Sequence, residues 1–508
     1  MRTGGLAVDF VLSASPRQTT MRIRDLIVPS LLATLAASPA ALGAVRFVDA
    51  SLKTGANDGS SWANAYRGVG GLTTAITASI SGDEIWVRSG TYRPTTGTSR
   101  TAAFTLKTGV AIYGGFAGVE TQVGQRDLIA NPTILSGDLL GNDSGSSNIA
   151  ENSYNVVVGS AALATAILDG FTVRGGNANG SSTGYYDRGG GIKIVTSGSP
   201  TIRNCTFTAN RCTFGGGAGY ILQAGATFIA CRFEGNFGAN YGGAFDMNTV
   251  NVGFERCWFA GNSAARAGAC ETFGTGQTRY TNCVFTANTA TGTGGGGAIW
   301  IGNSGSVTAR NSTFVANSAT STAGCVHNTS GSSTFGNCVF WANTGPGGTS
   351  AANQILNNGG SSSVTYSIVQ GGFTGTGNGS SDPLFVDQAA RDFRLATASP
   401  AIDSGSNALV PAGTTVDFDG GARFLDDPSV ADAGAGTAPI VDRGAYERIP
   451  PAPPACPADL DDSGAVDAVD LATLLSGWGT ASADIDGNGT TDAVDLANLL
   501  SAWGACPG

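Results

Sequence analysis

Between residues 190 and 345 the chain alternates short apolar runs with small or polar residues, and this alternation recurs at a nearly constant spacing. Its clearest element is the pattern Cys-x-Phe-x-x-Asn, in which Cys and Phe flank one polar residue. Apolar residues at every second position indicate a β-strand, because successive side chains of a strand point to opposite faces. Successive copies lie 26 residues apart, with one step of 29. The first positions of the six copies are Cys205, Cys231, Cys257, Cys283, Ser312 and Cys338.

A repeat of 26 residues cannot bury its apolar face alone, but stacked copies form a continuous core. The spacing therefore predicts a mostly β fold, a single-stranded, right-handed parallel β-helix with three short strands per coil. Like residues then stack in ladders, and the cysteines become small buried apolar residues. Small residues placed 14 positions before each copy predict the bend that precedes the first strand. This column is Gly191, Gly217, Gly243, Ala269, Ala298 and Gly324. A β-propeller is the alternative, although its blades need about 40 residues.

Composition argues against one class of fold and against several classes of function. The 77 glycines argue against helical bundles, because glycine costs about 1 kcal/mol at a helical position,. The net charge is −10, and the only lysines are Lys53, Lys107 and Lys193. A chain without a lysine-rich basic patch is a poor nucleic-acid binder, so we expect no nucleic-acid partner. The single histidine, His327, argues against histidine-rich metal sites and a Ser/His/Asp triad.

The first 43 residues have the features of an export signal. Arg22 and Arg24 precede an apolar stretch, and Ala41-Leu42-Gly43 places small residues where a signal peptidase needs them. We predict a signal peptide over 1–43, with the true start at Met21 as an alternative to Met1, and hence a secreted or cell-surface protein. No later segment is long and apolar enough to span a membrane, so we expect no transmembrane segment in the mature chain.

Apolar residues spaced as on one helix face predict an amphipathic helix at the N-terminal end of the solenoid. They are Leu72, Ala75, Ile76 and Ile80, and the helix is expected to cap the first coil. Caps are needed because a bare terminal coil exposes its core and a strand edge.

Several stretches resemble bacterial right-handed β-helix proteins of the pectate-lyase-like and polymorphic-membrane-protein repeat type. They are GDEIWVRSGTYRPT at 82–95, GVAIYGGFAGVE at 109–120, LDGFTVRGGNA at 168–178, the NCTF-type repeats, DPLFVD at 382–387, DFRLATASPAIDSG at 392–405 and DRGAYE at 442–447. The resemblance covers about 44–447 and concerns the fold, since the group mixes lyases, hydrolases, adhesins and proteins without known activity. The acids between 417 and 442 belong to this family-typical region and are interpreted as structural.

The C-terminal end carries two copies of a calcium-loop pattern, beginning at Asp459 and at Asp484. Oxygen-bearing side chains occupy loop positions 1, 3, 5, 9 and 12, a glycine occupies position 6, and position 7 offers its backbone carbonyl. Hard oxygen donors at this spacing select Ca²⁺. The predicted ligands are Asp459, Asp461, Ser463, Ala465, Asp467 and Asp470 in the first loop, and Asp484, Asp486, Asn488, Thr490, Asp492 and Asp495 in the second.

Each loop leads into an amphipathic helix, and the pair follows a proline-rich linker at 448–455,. Two loop–helix units with Asp at position 12 resemble a dockerin domain, here over 456–508. The resemblance implies a calcium-dependent complex with a cohesin-like protein, in which Ala468-Val469 and Ala493-Val494 face the partner. Cys456 and Cys506 flank the domain and form either a disulfide or two free thiols.

Catalytic candidates are sparse in the repeats. In the 26-residue register, Lys193, Gly219, Phe245, Glu271 and Trp300 share one outward column, with Asp246 beside it. Asp246 and Glu271 are the catalytic candidates, and Phe245 and Trp300 the candidates for stacking on a sugar; the alternative is a scattered solvated surface.

Two functions remain. One is a carbohydrate-associated binding or surface-structural module carried by a dockerin. The other is a dockerin-borne polysaccharide lyase or glycoside hydrolase. Sparse carboxylates favour the first, and the carbohydrate-active cargo common to dockerins favours the second.

Overall fold

The computed structural model describes residues 43–450 and 456–506, so all but Gly43 of the predicted signal peptide, and residues 451–455 of the predicted linker, lie outside it. Residues 45–369 form a parallel solenoid, in which each regular coil contributes a strand to sheet 1, then to sheet 2, then to a short corner sheet and then to sheet 3; the coils at the two ends have no strand in the corner sheet. The predicted mostly β, parallel solenoid is confirmed. Antiparallel propeller blades are excluded by the parallel pairing of successive coils.

Sheet 1 has twelve strands, in spatial order Tyr66–Arg67, Val45–Asp49, Glu84–Arg88, Ala111–Phe116, Ile167–Asp169, Thr201–Arg203, Gly225–Ile229, Asn251–Glu255, Gln277–Thr281, Ser306–Arg310, Ser332–Gly336 and Ser361–Thr365. Sheet 2 has ten: Gly90–Tyr92, Thr133–Ser136, Thr172–Arg174, Thr206–Thr208, Arg232–Glu234, Trp258–Ala260, Val284–Thr286, Thr313–Val315, Val339–Trp341 and Ile368–Val369. The corner sheet has six: Asn177–Ala178, Arg211–Cys212, Phe237–Tyr241, Ser263–Arg266, Thr289–Ala290 and Ser318–Ala319. Sheet 3 has nine: Phe104–Thr105, Val157–Val158, Ile192–Val195, Gly219–Leu222, Phe245–Asn248, Cys270–Phe273, Ile299–Gly302, Val326–Asn328 and Ile355–Asn357.

The repeated Phe and Asn form the predicted ladders. Phe207, Phe233 and Phe259 stack inside the solenoid with ring centroids 5.3 and 4.9 Å apart, and the stack continues to Phe340. At the next corner, each asparagine amide donates to the side-chain oxygen of the asparagine one coil further on, as from Asn236 to Asn262 at 3.0 Å. The repeated cysteines are buried and carry free thiols. The repeat thus encodes contacts between neighbouring coils.

A column of glycines lets the coils approach closely at the start of sheet 3. A Cβ on Gly217, Gly243 or Gly297 would overlap the carbonyl oxygen of the glycine one coil further on. The column comprises Gly190, Gly217, Gly243, Gly268, Gly297 and Gly324. The predicted small-residue column is therefore displaced in part, because Ile192 pairs with Gly219, which puts Gly191 opposite Ala218. These glycines provide space for backbone, which no other residue can do.

Helices are few. Helix α1, Gly71–Ala78, buries Leu72, Ala75 and Ile76 near the first strands, whereas Ile80 lies beyond its end and is exposed. Helix α2, Ala351–Gln354, is a single turn beside the last coils. Short 3-10 turns occupy Trp62–Asn64, Val123–Gln125 and Asn407–Leu409.

Residues 380–448 do not continue the stack of coils but fold back along the outside of sheets 1 and 2. The outward face of sheet 2 is apolar at Trp258 and Val315, and Phe393 and Tyr446 cover it. Asn282 donates its amide to the carbonyl of Val416 at 2.7 Å, which holds the same segment against a corner of the solenoid. Two antiparallel strands, Phe385–Asp387 and Asp392–Leu395, lie within it. We call residues 380–448 the strap.

The strap includes the first residue of the predicted linker. Arg448 is buried and pairs with Asp427, so the packed region extends through Arg448. Residues 456–506 contain helix α3, Ala468–Ser476, helix α4, Ala493–Ser501, and the antiparallel pair Ala465–Val466 and Gly504–Ala505. A disulfide joins Cys456 to Cys506 and closes this domain. Within the described ranges, no helix is both long and apolar enough to cross a membrane.

Candidate functional site

A cavity of about 460 Å³ opens on the side of the early coils, where sheet 2 meets the corner sheet. It exists because the chain leaves sheet 2 at Ser136 and makes a long excursion before it re-enters sheet 3 at Val157. The excursion forms one wall, and the strands of the next coils form the other. We call it the lateral cavity; its charged and amide-bearing lining residues are Arg93, Asp138, Asp143, Asn152, Arg174, Asn177 and Arg211.

Three carboxylates converge beside the lateral cavity, and Asp138 and Asp143 line it. One oxygen from each of Asp138, Asp143 and Glu151 lies within 4.8 Å of the others. The Asp138 carboxylate accepts backbone N–H groups from the turn that follows it, including that of Asp143 at 3.2 Å. Asn152 donates its amide to Asp143 at 2.8 Å. One side-chain oxygen each of Asp143, Glu151 and Asn152 is buried without a hydrogen-bond partner. Burial, with the charges of Asp138 and Glu151, raises the pKa of Asp143.

The same cavity holds three guanidinium groups. Among the described residues, Arg93, Arg174 and Arg211 form no ion pair with the three carboxylates. Arg211 donates to the Ser146 hydroxyl at 2.6 Å, and Nε of Arg93 is buried without a partner. Positive and negative groups therefore line one cavity without neutralising each other by contact, which leaves both available to a charged or polyhydroxylated ligand.

The sequence did not predict this cavity, because the catalytic candidates Asp246 and Glu271 come from the regular repeats and the cavity lies outside them. The available signal was the segment GDLLGNDSG at 137–145, an acid-bearing insertion between two apolar strands. Loops supported by a rigid scaffold are common places for binding residues.

The predicted catalytic and sugar-binding candidates have a different arrangement. In sheet 3, Asp246 pairs with Glu271, and Glu271 pairs with Trp300. Phe245 belongs instead to the inward column with Cys270 and lies in the core, so its predicted outward position is wrong. Gly219 pairs with Phe245 in the same inward column. The error is one residue, because two steps of this column differ from 26. Lys193 pairs with Tyr220 after 27 residues, and Phe245 pairs with Cys270 after 25, where the corner sheet has a register shift.

Asp246 and Glu271 are neighbours, but both are fully buried. Glu271 forms an ion pair with Arg266, whose guanidinium lies 3.9 Å from the ring centroid of Trp300. Both carboxylate oxygens of Asp246 are without hydrogen-bond partners, and burial and the charge of Glu271 raise its pKa well above the ordinary value. Trp300 is only 7 % exposed. Within the described residues these three side chains are therefore buried, so they offer a polymer no accessible carboxylate.

His327 continues the Asp246–Glu271–Trp300 column. Its Nδ1 lies 2.8 Å from the carbonyl oxygen of Gly294, and burial lowers its pKa. This neutral, buried imidazole packs beneath a connecting loop and has no adjacent nucleophile in the column.

The two C-terminal loops share one geometry. In the first, the carboxylate of Asp459 accepts the backbone N–H groups of Ser463 at 3.0 Å and Gly464 at 2.8 Å. In the second, the carboxylate of Asp484 accepts those of Asn488 and Gly489 in the same way. Gly464 has φ of +88°, which the turn at position 6 requires and which favours glycine,.

Three carboxylates converge in each loop: Asp459, Asp461 and Asp470 in the first, and Asp484, Asp486 and Asp495 in the second, with one oxygen from each within 4.8 Å of the others. Asp470 and Asp495 also accept N–H groups from their own loops, and these bonds lower the pKa of both carboxyls. An all-oxygen donor set with this separation suits Ca²⁺, whose oxygen ligands lie at about 2.3–2.6 Å. The residues present therefore fit the ion, and Ala465 and Thr490 occupy loop position 7, whose backbone carbonyl is the predicted ligand,.

The helices that follow the loops leave the same apolar positions exposed. Leu474 and Leu499 are buried between the units, and Leu471 and Leu496 pack partly against that core. The apolar residues predicted on each helix therefore form two sets, one packed in the core of the domain and one exposed. The exposed residues occur as matched pairs, each between 45 % and 54 % exposed: Val469 with Val494, Leu475 with Leu500, and Trp478 with Trp503. We call these six residues the paired apolar face.

Comparison with known proteins concerns the solenoid. A family model described as a right handed beta helix region matches residues 105–314 and 190–367. Among solved structures, pectate lyase Pel9A matches 80 % of this chain and 96 % of its own, with 15 % identity and a TM-score of 0.43. A rhamnogalacturonan lyase matches 68 % of this chain and 91 % of its own, with 14 % identity and a TM-score of 0.43. At these scores neither structure bears on the activity of this chain. No curated protein matches the sequence.

Proposed function

Because the chain belongs to the right-handed β-helix family, we propose that it is a secreted or cell-surface binding protein. In this proposal residues 1–43 are a signal peptide, the solenoid with α1 as its N-terminal cap binds carbohydrate, and residues 456–508 are a dockerin-like tether. The tether binds Ca²⁺ and then a cohesin-like partner. The observation that carries the proposal is the repetition of one loop–helix geometry with the same side chains left exposed.

Calcium would organise each unit of the tether. The N-cap residues Asp467 and Asp492 begin α3 and α4, and Asp470 and Asp495 complete a capping box with them. Each loop therefore places convergent carboxylates directly before a helix. Without a cation these negative charges repel one another, and a bound Ca²⁺ relieves that repulsion and fixes the start of the helix.

The paired apolar face supports a protein partner. Trp478 and Trp503 are large apolar side chains, and their exposure to water does not stabilise a small domain,. Aromatic residues are also enriched in the hot spots of protein–protein interfaces. Their equivalent positions in two repeated units give the face an approximate internal symmetry. Such a face suits a preformed groove on another protein, and the dockerin resemblance names that protein as cohesin-like.

The lateral cavity supports a ligand for the solenoid. It is polar, it offers guanidinium donors from Arg93, Arg174 and Arg211, and it offers carboxylates that accept from hydroxyl groups,. A carbohydrate with acidic groups meets both requirements. We assign this cavity, rather than the buried Asp246 and Glu271, as the carbohydrate site.

The second candidate function is a polysaccharide lyase or glycoside hydrolase. The specific observation in its favour is that the lateral cavity contains Asp143, whose pKa is raised, beside further carboxylates and unpaired guanidinium groups. A carboxyl with a raised pKa is suited to donate a proton in glycosidic-bond cleavage.

Calcium binding by the tether is tested by isothermal titration calorimetry of the metal-stripped full chain. We expect the double variant Asp459→Asn, Asp484→Asn to lose two bound Ca²⁺ per chain relative to the wild type. Asp462→Asn is the matched control, because Asp462 lies in the first loop at position 4, which contributes no predicted ligand. Equal binding by the double variant and the control contradicts the loop assignment.

The partner is tested with a panel of purified cohesin modules immobilised on a surface, in Ca²⁺ and in EDTA. We expect Ca²⁺-dependent capture of the full chain and at least a tenfold weaker affinity for Trp478→Ala with Trp503→Ala. Ile129→Ala removes an exposed apolar side chain of the solenoid and is the control. Failure of every cohesin to capture a calcium-loaded chain, or equal capture of the tryptophan variant, contradicts this partner.

The solenoid's function is tested by incubation with a panel of acidic and neutral polysaccharides. Retention without new reducing ends or ultraviolet-absorbing products supports the binding function, and either product supports the second candidate. We expect Arg174→Ala in the lateral cavity to weaken retention and Arg279→Ala, exposed on sheet 1, to leave it unchanged. Absence of both retention and products across the panel argues against a carbohydrate ligand.

A further inference from the structure

A further acidic cluster lies in the strap, separate from the two C-terminal loops and from the lateral cavity. One carboxylate oxygen from each of Asp403, Asp426 and Asp432 lies within 4.8 Å of the others. Asp403 is fully buried, whereas Asp426 and Asp432 are exposed and belong to the loop that follows Arg423. The cluster therefore has a buried floor and an open outer side.

The backbone holds Asp403 firmly in place. Its N–H donates to the Asp442 carboxylate at 2.7 Å, and its carbonyl accepts the N–H groups of Ala433 at 2.9 Å and Gly434 at 3.0 Å. The residue has φ of +46°, a conformation that Asp tolerates better than most residues,. Two neighbouring segments of the strap thus meet at Asp403, and the side chain of Asp403 points toward their junction.

The side chain of Asp403 is nevertheless unsatisfied. Its Oδ1 is buried without any hydrogen-bond partner, and its Oδ2 has only a long bond of 3.4 Å from the N–H of Asp427. A buried carboxylate oxygen without a donor carries a substantial desolvation cost. Burial and the nearby charges of Asp426 and Asp432 raise the pKa of Asp403 to about 6. The cluster therefore places an unsatisfied, buried carboxylate oxygen beside two exposed carboxylates.

Among the described residues, no cation pairs with this cluster. Arg448 is engaged with Asp427, and Arg423 is engaged with Glu447 at 3.0 Å. The remaining arginine nearby, Arg443, donates to the carbonyl of Ser404 at 2.8 Å. Arginine thus pairs with the buried Asp427 and Glu447 of the strap, whereas among the described residues the three acids of the cluster have no counter-charge.

We infer that Asp403, Asp426 and Asp432 form a calcium site that joins the two segments of the strap. The donors are all oxygen, which favours Ca²⁺ over metals that prefer nitrogen or sulfur ligands. Opposite ligands around Ca²⁺ are about 4.6–5.2 Å apart, which agrees with the spread of the three oxygens. The open side leaves room for the waters that complete six to eight ligands. The site does not depend on the proposed function of the tether.

The ion would act on the strap. Residues 424–434 carry two of the ligands and are largely exposed, and Asp403 lies in the segment that the strap packs inward. Bound Ca²⁺ would link the exposed loop to the packed segment and protect the loop from cleavage.

The test uses the full chain with both C-terminal loops disabled by Asp459→Asn, Asp461→Asn, Asp484→Asn and Asp486→Asn. We expect calorimetry to show that Asp432→Asn in this background weakens Ca²⁺ binding at one site at least tenfold. Loss of a group that only orients a metal ligand already costs about 10–100-fold in affinity. Asp382→Asn, another exposed aspartate of the strap, is the matched control and should bind as the background does.

A second measurement is cleavage within 424–434 by chymotrypsin, whose activity needs no metal ion and which can cut after Phe424 and Leu425. We expect Ca²⁺ to slow it at least tenfold in the Asp382→Asn chain and not in the Asp432→Asn chain. Equal melting temperatures of the two variants in EDTA exclude misfolding, and Asp432 is exposed, which makes its replacement mild. Equal Ca²⁺ affinity of the two variants, or no binding by a folded background chain, overturns the inference. Either outcome leaves the calcium loops of the tether to their own test.

Discussion

We expect the asparagine ladder to stabilise the solenoid strongly, and Asn262 is one of its two central residues. This side chain is fully buried and makes four hydrogen bonds. Its oxygen accepts the backbone N–H of Asn236 at 3.1 Å and the side-chain amide of Asn236 at 3.0 Å. Its own amide donates to the carbonyl of Phe233 at 2.8 Å and to the side-chain oxygen of Asn288 at 2.9 Å.

Asn262→Ala removes all four bonds and leaves the backbone N–H of Asn236 buried without an acceptor. A typical intramolecular hydrogen bond contributes about 1 kcal/mol net, so four give a loss of about 4 kcal/mol in the free energy of unfolding. A group left unsatisfied in the core adds to this figure. A loss of this size is a large share of the roughly 5–15 kcal/mol that stabilises an ordinary domain.

The measurement is urea-induced unfolding followed by circular dichroism, with the wild type, Asn262→Ala and Asn240→Ala compared. Asn240 is the matched control, because it is exposed and donates a single bond of 3.0 Å to the carbonyl of Thr213. We expect the control to change the free energy of unfolding by less than about 1 kcal/mol. If Asn262→Ala lies within about 1 kcal/mol of the control, the ladder does not stabilise the coils as argued.

Further predictions concern packing, thiols and pH. Gly297→Ala forces a Cβ against the carbonyl of Gly324 and should destabilise by about 1–3 kcal/mol, whereas Gly253→Ala, which has open space, should not; melting temperatures compare the two,. The eight free cysteines are all buried, so Ellman's reagent should find no fast-reacting thiol in the native protein and eight after denaturation; fast native reaction would contradict the buried ladder. Burial lowers the pKa of Lys193 to about 8, so the folded state binds fewer protons than the unfolded state between about pH 8 and 10,. Stability should therefore rise across that window by up to about 3 kcal/mol relative to Lys193→Met, and parallel pH profiles of the two proteins would refute this.

Sequence patterns predicted the contacts that recur with the repeat. Residues one coil apart in sequence stack directly on one another, so the Phe and Asn columns could be identified from their spacing alone. The convergence of three carboxylates in each C-terminal loop could be predicted in the same way, because all of them lie within one short segment around Gly464 or Gly489. In both cases the contact distance in space follows from a short and regular distance along the chain.

The register of sheet 3 could not be read in this way. Coil length varies at the corners, and the coil between Phe245 and Cys270 is one residue short of the repeat. In a strand, a shift of one residue exchanges the inward and outward faces, so one missing residue moved Phe245 into the core and Asp246 beside Glu271. Whether these residues were accessible was decided by the loops packed over them.

Spacing along the chain thus determined a stacked β-solenoid with buried Phe, Cys and Asn columns, followed by two oxygen-rich loops before helices. Tertiary structure alone decided the lateral cavity, the strap folded along sheets 1 and 2, and the meeting of Asp403 with Asp432. The physical reason is that these groups come together through irregular insertions and long returns of the chain, whose lengths obey no repeat. These groups come close because the apolar faces of the solenoid and the strap pack against each other and are thereby buried,.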